Sequence, residues 1–152
     1  MKKILFDNTE LEYDIFQSNN KESVNSIKSI EDNIILIHGG IMADSNIPII
    51  TFLDILTKNY NILHYHRRRY GKIINKRNNS ASIFQHLEEC KKIMDVLNIK
   101  KAHIVGHSIG GAIALQLASN YSDHIESLIL LEPAITGYNE ITGQQVYMNL
   151  NQ

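Results

Sequence analysis

The residues whose spacing most clearly suggests chemistry are Gly106-His107-Ser108-Ile109-Gly110, a serine with a glycine two positions before it and another two after it. Residues 102–107 predict a buried strand, and residues 109–121 predict a helix. A sharp turn from strand to helix holds the serine in a strained backbone conformation, and the glycines leave room for the close approach of the two elements. The pattern therefore predicts that Ser108 is a nucleophile whose hydroxyl projects above the carboxyl edge of a sheet.

A second segment carries the groups that such a nucleophile needs. His38-Gly39-Gly40 directly follows residues 33–37, a short apolar run typical of a parallel strand buried on both faces. Acyl transfer creates negative charge on the substrate's carbonyl oxygen, and backbone N–H groups stabilise that charge. We expect the N–H groups of Ile109 and Gly40 to be the two oxyanion donors, with Ile41 as the alternative to Gly40.

These segments resemble the α/β-hydrolase family, whose members often read His-Gly-Gly, then Gly-His-Ser-x-Gly-Gly, then a Leu-rich strand that ends near a proline. Residues 38–40, 106–111 and 128–133 match these motifs. The loop from His66 departs, because the family commonly has Asp-x-Arg-Gly-x-Gly-x-Ser there and only Arg68 and Gly71 fit. The resemblance implies an α/β fold, with a mostly parallel sheet, flanking helices and a leading β-hairpin. It also implies that residues 1–152 form one partial domain that lacks the family's C-terminal strands and cap.

The implied activity is that of a serine hydrolase acting on an ester or other acyl substrate through an acyl-enzyme, without a cofactor or metal. In this family the triad order is serine, acid, histidine. Glu132 is a possible acid because it ends the strand 127–131 beside the nucleophile strand, although the acid can also lie on the next strand. The alternative is a non-catalytic truncated relative or a binding module, because no histidine is suitably placed to act as the base.

Only His124 follows Ser108, and it lies in the turn at the amino edge of the sheet, ~20 Å from the nucleophile. His38 is expected to brace the oxyanion loop, and His107 points away from the serine hydroxyl. His64 and His66 end a strand that the strand 33–37 separates from the nucleophile strand. None of these positions suits a base, which must lie about 3 Å from the proton that it takes.

The remaining elements frame this site. The predicted strands are 3–6, 10–17 and 60–66, and residues 18–31 are a predicted loop. The predicted helices are 47–58 and 81–98, the second capped by Ser80 and carrying an apolar stripe that includes Cys90. Residues 135–152 are expected to begin a cap region or to be a disordered end, with a helix over 139–152 as one possibility.

Composition limits the possible partners. The 152 residues carry a formal net charge of −1, with 43% hydrophobic and 20% charged residues, which favours neither a nucleic-acid nor a membrane partner. A single cysteine excludes an intrachain disulfide and fits a cytoplasmic protein. The basic stretch 66–77 could contact phosphate, but a solvated loop is the favoured interpretation. The strand 127–131 is expected to leave an open sheet edge that permits self-association.

Overall fold

Strands and helices alternate along the chain between residues 33 and 131. The computed structural model describes residues 2–6, 9–18, 33–40, 53–68, 70, 82–138 and 145–147. The strands are β1 (Lys2–Phe6), β2 (Thr9–Phe16), β3 (Asn33–Ile37), β4 (Asn61–Tyr65), β5 (Ala102–His107), β6 (Ile125–Leu131), β7 (Thr136–Tyr138) and β8 (Gln145–Tyr147). The helices are α1 (Leu53–Leu56), α2 (Ile83–Val96) and α3 (Ile109–Asn120), followed by a 3-10 turn at Ser122–His124.

Six of these strands form one mixed sheet in the order β1-β2-β4-β3-β5-β6. The first two form an antiparallel hairpin, and β2 pairs antiparallel with β4. The strands β4, β3, β5 and β6 are mutually parallel. The leading hairpin and the parallel sheet with flanking helices are therefore confirmed. Parallel strands end at a common edge, so the segments after β3, β4, β5 and β6 meet there.

Apolar side chains cover both faces of this sheet. Helices α2 and α3 pack on one face against Ile35, Ile37 and Ile104, whereas α1 packs on the other against Ile34 and Leu36. This double burial explains why β3 is a continuous apolar run without alternation. Cys90 on α2 is fully buried, as its place on the apolar stripe predicted, and burial raises the pKa of its thiol to about 12.

The start of α2 differs from the prediction. The N-cap is Ser82 rather than Ser80, which lies outside the described residues. The Ser82 hydroxyl accepts a hydrogen bond from the Gln85 amide at 3.1 Å, and the Gln85 side chain accepts one from the Ser82 amide at 2.9 Å. This reciprocal pair is a capping box, which satisfies two backbone donors and so outcompetes a lone serine two residues earlier.

Other boundaries also shift. β6 begins at Ile125 rather than at residue 127, because Ile125 pairs with Ala102 at the start of β5. The described helix α1 ends at Leu56 rather than at residue 58, and the predicted helical residues 47–52 lie outside the described chain.

The C-terminal prediction fails at one point. A helix through residues 145–147 is wrong, because β8 pairs antiparallel with β7. Within the described ranges, no helix is long and apolar enough to cross a membrane.

Candidate active site

Ser108 occupies the turn between β5 and α3 in the conformation that its sequence context predicts. Its backbone φ of 53° and ψ of −122° lie in a region that non-glycine residues rarely adopt. The Ser108 amide donates to the Leu131 carbonyl at 3.0 Å, and its carbonyl accepts from the Ala134 amide at 2.8 Å. The segment that follows β6 thus holds the strained turn in place. Such strain persists only where the surrounding structure compels it, which is typical of functional sites.

The glycines of the turn are required by close packing. A Cβ atom at Gly106 would lie 2.5 Å from the Gly110 carbonyl oxygen, and one at Gly110 would lie 2.1 Å from the Ile37 carbonyl oxygen. Both contacts are far shorter than any tolerated carbon–oxygen distance. The turn and the first residues of α3 can therefore approach β3 and β5 this closely only without side chains.

Ser108 is also the N-cap residue of α3, yet its hydroxyl makes no capping hydrogen bond. A serine at this position normally uses its hydroxyl to satisfy an amide of the first helical turn. The Ser108 hydroxyl is not used in this way. The amide of Ile109, the first residue of the helix, belongs to the N-terminal donors that have no partner within a helix. That position suits the predicted oxyanion donor.

The loop after β3 lies against this turn, as predicted. A Cβ atom at Gly39 would lie 3.3 Å from the Ser108 Cβ, and one at Gly40 would lie 3.5 Å from Cγ2 of Ile109. The loop that carries the Gly40 amide therefore lies against Ser108 and Ile109. Ile41, the alternative donor, lies outside the described residues.

Three side chains bind the carbonyl groups of this loop. His38 Nδ1 lies 2.7 Å and Arg67 Nη2 lies 2.8 Å from the Gly39 oxygen, and the Tyr70 hydroxyl donates to the Gly40 oxygen at 2.5 Å. Burial and then the neighbouring Arg67 charge lower the pKa of His38 to about 3. His38 is therefore neutral near pH 7 and braces the loop, as the sequence predicted.

Sequence reasoning missed Arg67 and Tyr70. The interpretation of the basic stretch as a solvated loop is wrong for Arg67, which is 2% exposed. It is wrong for Arg68 as well, because its guanidinium pairs with the buried carboxylate of Glu89. One feature of the sequence could have indicated Arg67. It follows the buried strand β4, at the edge of the sheet where the site lies.

The structure places the remaining candidates as follows. His124 precedes β6, and its Nδ1 lies 2.7 Å from the Lys100 carbonyl at the amino edge, opposite Ser108. Glu132 follows β6 at the carboxyl edge, with an exposed side chain and a φ of 44°. Among the described residues, no histidine is hydrogen-bonded to the Ser108 hydroxyl.

An apolar groove adjoins the turn. It has a volume of about 530 Å³ and is lined by residues of α2, of α3 and of the segment after β6, including Phe84, Ile109, Leu115 and Ile135. Ile109 connects the groove to Ser108, since it is the next residue along the chain. The part of the chain that is described contains no group of three or more histidine, cysteine or carboxylate side chains able to hold a metal ion.

Comparisons with known proteins agree with this geometry. The family described as alpha/beta hydrolase fold matches residues 32–152. The probable lysophospholipase BODYGUARD 2 of Arabidopsis thaliana is 30% identical over 112 residues, covering 70% of this chain and 23% of that protein. A 2-hydroxy-6-oxononadienedioate/2-hydroxy-6-oxononatrienedioate hydrolase of Comamonas testosteroni is 48% identical over 52 residues, covering 34% of this chain and 18% of that protein.

One solved structure has a similar fold. It is a serine-to-alanine mutant of the meta-cleavage product hydrolase CumD from Pseudomonas fluorescens IP01, complexed with acetates. The TM-score is 0.70 at 26% identity, over 91% of this chain and 46% of that one. This chain thus spans less than half the length of each of these relatives. On its motifs, its fold and the match over residues 32–152, the chain belongs to the α/β-hydrolase family.

Proposed function

We propose that this chain carries the nucleophile and oxyanion hole of a serine hydrolase that acts on an ester or other acyl substrate. Ser108 is the nucleophile, and the amides of Ile109 and Gly40 are the oxyanion donors. The observation that carries the proposal is the turn itself. Ser108 has a positive φ of 53° and makes no capping hydrogen bond, and it lies at a helix N-terminus where the dipole favours negative charge.

The chemistry follows from this arrangement. The Ser108 hydroxyl oxygen forms a bond to the acyl carbon, and the carbonyl electron pair moves onto the carbonyl oxygen beside the two amides. When the carbonyl re-forms, the bond to the leaving group breaks and the leaving group takes up the serine proton through a base. Water then repeats the sequence on the acyl-enzyme and releases the acid.

All seven histidines of the chain lie among the described residues, and none of them is hydrogen-bonded to the Ser108 hydroxyl. His124 lies at the wrong edge and His38 is bound to the oxyanion loop, so the base is expected from a part of the protein outside these 152 residues. Glu132 stays a proposal for the acid on the strength of its position at the carboxyl edge after β6. Its side chain is exposed, so a histidine from outside these 152 residues could reach it.

The groove between α2 and α3 favours an apolar acyl group. None of the side chains that line it is charged, and Phe84, Ile109, Leu115 and Ile135 are apolar. Burying a chain of several methylenes there would gain about 0.8 kcal/mol per CH₂ group. We therefore expect butyrate and longer aliphatic esters to be better substrates than acetate esters.

The test is hydrolysis of p-nitrophenyl acetate and p-nitrophenyl butyrate by the wild-type chain, by Ser108→Ala and by Ser119→Ala. Ser119 is an exposed serine near the end of α3 and serves as the matched control. Because a p-nitrophenyl ester has a good leaving group, we expect the wild-type chain to show a slow Ser108-dependent rate even without its histidine base. Ser108→Ala should lose this rate, and Ser119→Ala should keep it. Equal rates for wild type and Ser108→Ala would refute catalysis by this chain and favour the alternative, a non-catalytic relative that binds a partner.

A further inference from the structure

We propose that Arg67 is a positioning residue of the oxyanion hole, which acts by holding the Gly39 carbonyl so that the Gly40 amide faces Ser108. This inference rests on the proposed function, because it gives a role to the same Gly40 amide. It concerns a side chain that does not itself touch the substrate. The argument depends on the geometry of one peptide group.

The carbonyl of Gly39 and the amide of Gly40 belong to the same peptide unit. No described peptide bond is cis. In a trans peptide the C=O and N–H bonds point in opposite directions within one plane. Whatever fixes the direction of the Gly39 oxygen therefore fixes the direction of the Gly40 amide hydrogen.

Two buried donors fix that oxygen. The Arg67 backbone amide donates to His38 Nε2 at 3.1 Å, so the neutral imidazole carries its proton on Nδ1. That Nδ1–H donates to the Gly39 oxygen at 2.7 Å, and Arg67 Nη2 donates to the same oxygen at 2.8 Å. Arg67 thus acts twice, once through its backbone on the His38 tautomer and once through its guanidinium on the carbonyl.

Sheet order gives the direction of the amide. Arg67 follows the end of β4, Gly39 follows β3, and Ser108 follows β5, and these strands are neighbours in the order β4-β3-β5. A carbonyl bound from the β4 side leaves the amide of the same peptide facing the β5 side. Ser108 and Ile109 lie on that side, in contact with Gly39 and Gly40.

The guanidinium charge of Arg67 also polarises the Gly39–Gly40 peptide group, in addition to orienting it. Arg67 is 2% exposed, its guanidinium lies 4.7 Å from the centre of the Tyr70 ring, and its Nε has no hydrogen-bond partner among the described residues. Burying a cation costs free energy unless it is paired, and among the described residues the Gly39 carbonyl and the Tyr70 ring are its partners. At low dielectric, a charged donor on the carbonyl strengthens the N–H donor at the other end of the peptide.

The experiment compares Arg67→Met, Arg67→Gln and Arg67→Lys with the wild-type chain, with Arg68→Met as the matched control. Arg68 is the next residue, and its guanidinium pairs with Glu89. The first measurement is the Gly40 amide signal in ¹H–¹⁵N NMR, with its hydrogen exchange. We expect Arg67→Met and Arg67→Gln to move this signal and accelerate its exchange. Arg68→Met should lower stability and leave the Gly40 signal in place.

The second measurement is Ser108-dependent hydrolysis of p-nitrophenyl butyrate. Loss of an oxyanion donor costs about 10²–10³ in kcat, so a misdirected donor should cost about tenfold or more. We expect kcat to fall for Arg67→Met with KM changed less than about twofold, and Arg67→Lys to recover part of the loss. A purely structural role would lower the folded fraction without separating kcat from KM.

Each outcome bears on the inference. A folded Arg67→Met or Arg67→Gln whose Gly40 signal matches the wild type overturns it, as does a Lys variant that is no better than Met. If Arg67→Met does not fold, Arg67→Gln decides in the same way. If the wild-type chain shows no Ser108-dependent rate, the proposed function fails, whereas the NMR comparison still decides whether Arg67 orients the Gly40 amide.

Discussion

Replacing Gly110 with alanine separates the effect of local helix propensity from that of tertiary packing. Gly110 is the second residue of α3, where alanine is better than glycine by about 1 kcal/mol in an isolated helix. Propensity alone therefore predicts a more stable protein. The structure predicts the opposite sign, because the added Cβ would lie 2.1 Å from the Ile37 oxygen and 2.6 Å from the His38 oxygen.

The magnitude follows from the atoms that are struck. Both are backbone oxygens at the end of a fully buried strand, so neither can turn aside as a flexible side chain would. The helix would have to move by roughly 1 Å to relieve the closer contact, which would separate it from β3 along the site. Overpacking of this kind costs about 3 kcal/mol or more. A domain of this length should then lose roughly 6–12 °C in Tm.

The assay is urea and thermal unfolding followed by circular dichroism, for wild type, Gly110→Ala and Ser119→Ala. Ser119 is exposed on the same helix, so its replacement tests propensity without a packing change and should slightly raise the free energy of unfolding. A Gly110→Ala protein as stable as the wild type, or more stable, would refute the packing argument. It would mean that α3 is not held against β3 as the structure describes.

Three further predictions address strain, pH and association. Ser108→Gly should raise the free energy of unfolding by about 1 kcal/mol, because glycine adopts a φ of 53° without strain, and urea titration would contradict this by showing a decrease. Folding lowers the pKa of His38 from 6.5 to about 3. The unfolded chain therefore binds a proton at His38 below pH 6.5 and the folded chain does not, so the free energy of unfolding is highest above pH 6.5 and falls as the pH drops toward 3. This free energy falls by at most about 1.4 kcal/mol per pH unit. Urea unfolding at pH 7 and at pH 5 should show a smaller difference between the two pH values for His38→Gln than for the wild type. Ile129 is 48% exposed on β6, which pairs only with β5 among the described strands. Ile129→Lys should therefore reduce self-association measured by sedimentation velocity. Unchanged association would mean that the contact between copies lies elsewhere.

Local patterns were enough to predict the elements that position Ser108. The apolar run of β3, the glycine spacing around Ser108 and the stripe on α2 are short-range signals, since each reflects a fixed backbone period or a steric demand within a few residues. They located the strand–turn–helix and its neighbouring loop. The predicted element boundaries were less accurate. Ser82 rather than Ser80 caps α2, because Ser82 forms a reciprocal pair of hydrogen bonds with Gln85, and residue types alone do not show which serine does so.

The residues that the sequence did not reveal act across long separations. Arg67 contacts Gly39 across 28 residues and Arg68 pairs with Glu89 across 21, so no local period links them. Charge made both appear solvated, because a cation is rarely buried without partners. The sheet order β4-β3-β5 brings Gly39 to Arg67, and the packing of α2 on the sheet brings Glu89 to Arg68. The sequence alone therefore determined the strand–turn–helix at Ser108 and the family. The tertiary structure decided which side chains hold the loop 38–40, because that depends on which strand ends become neighbours.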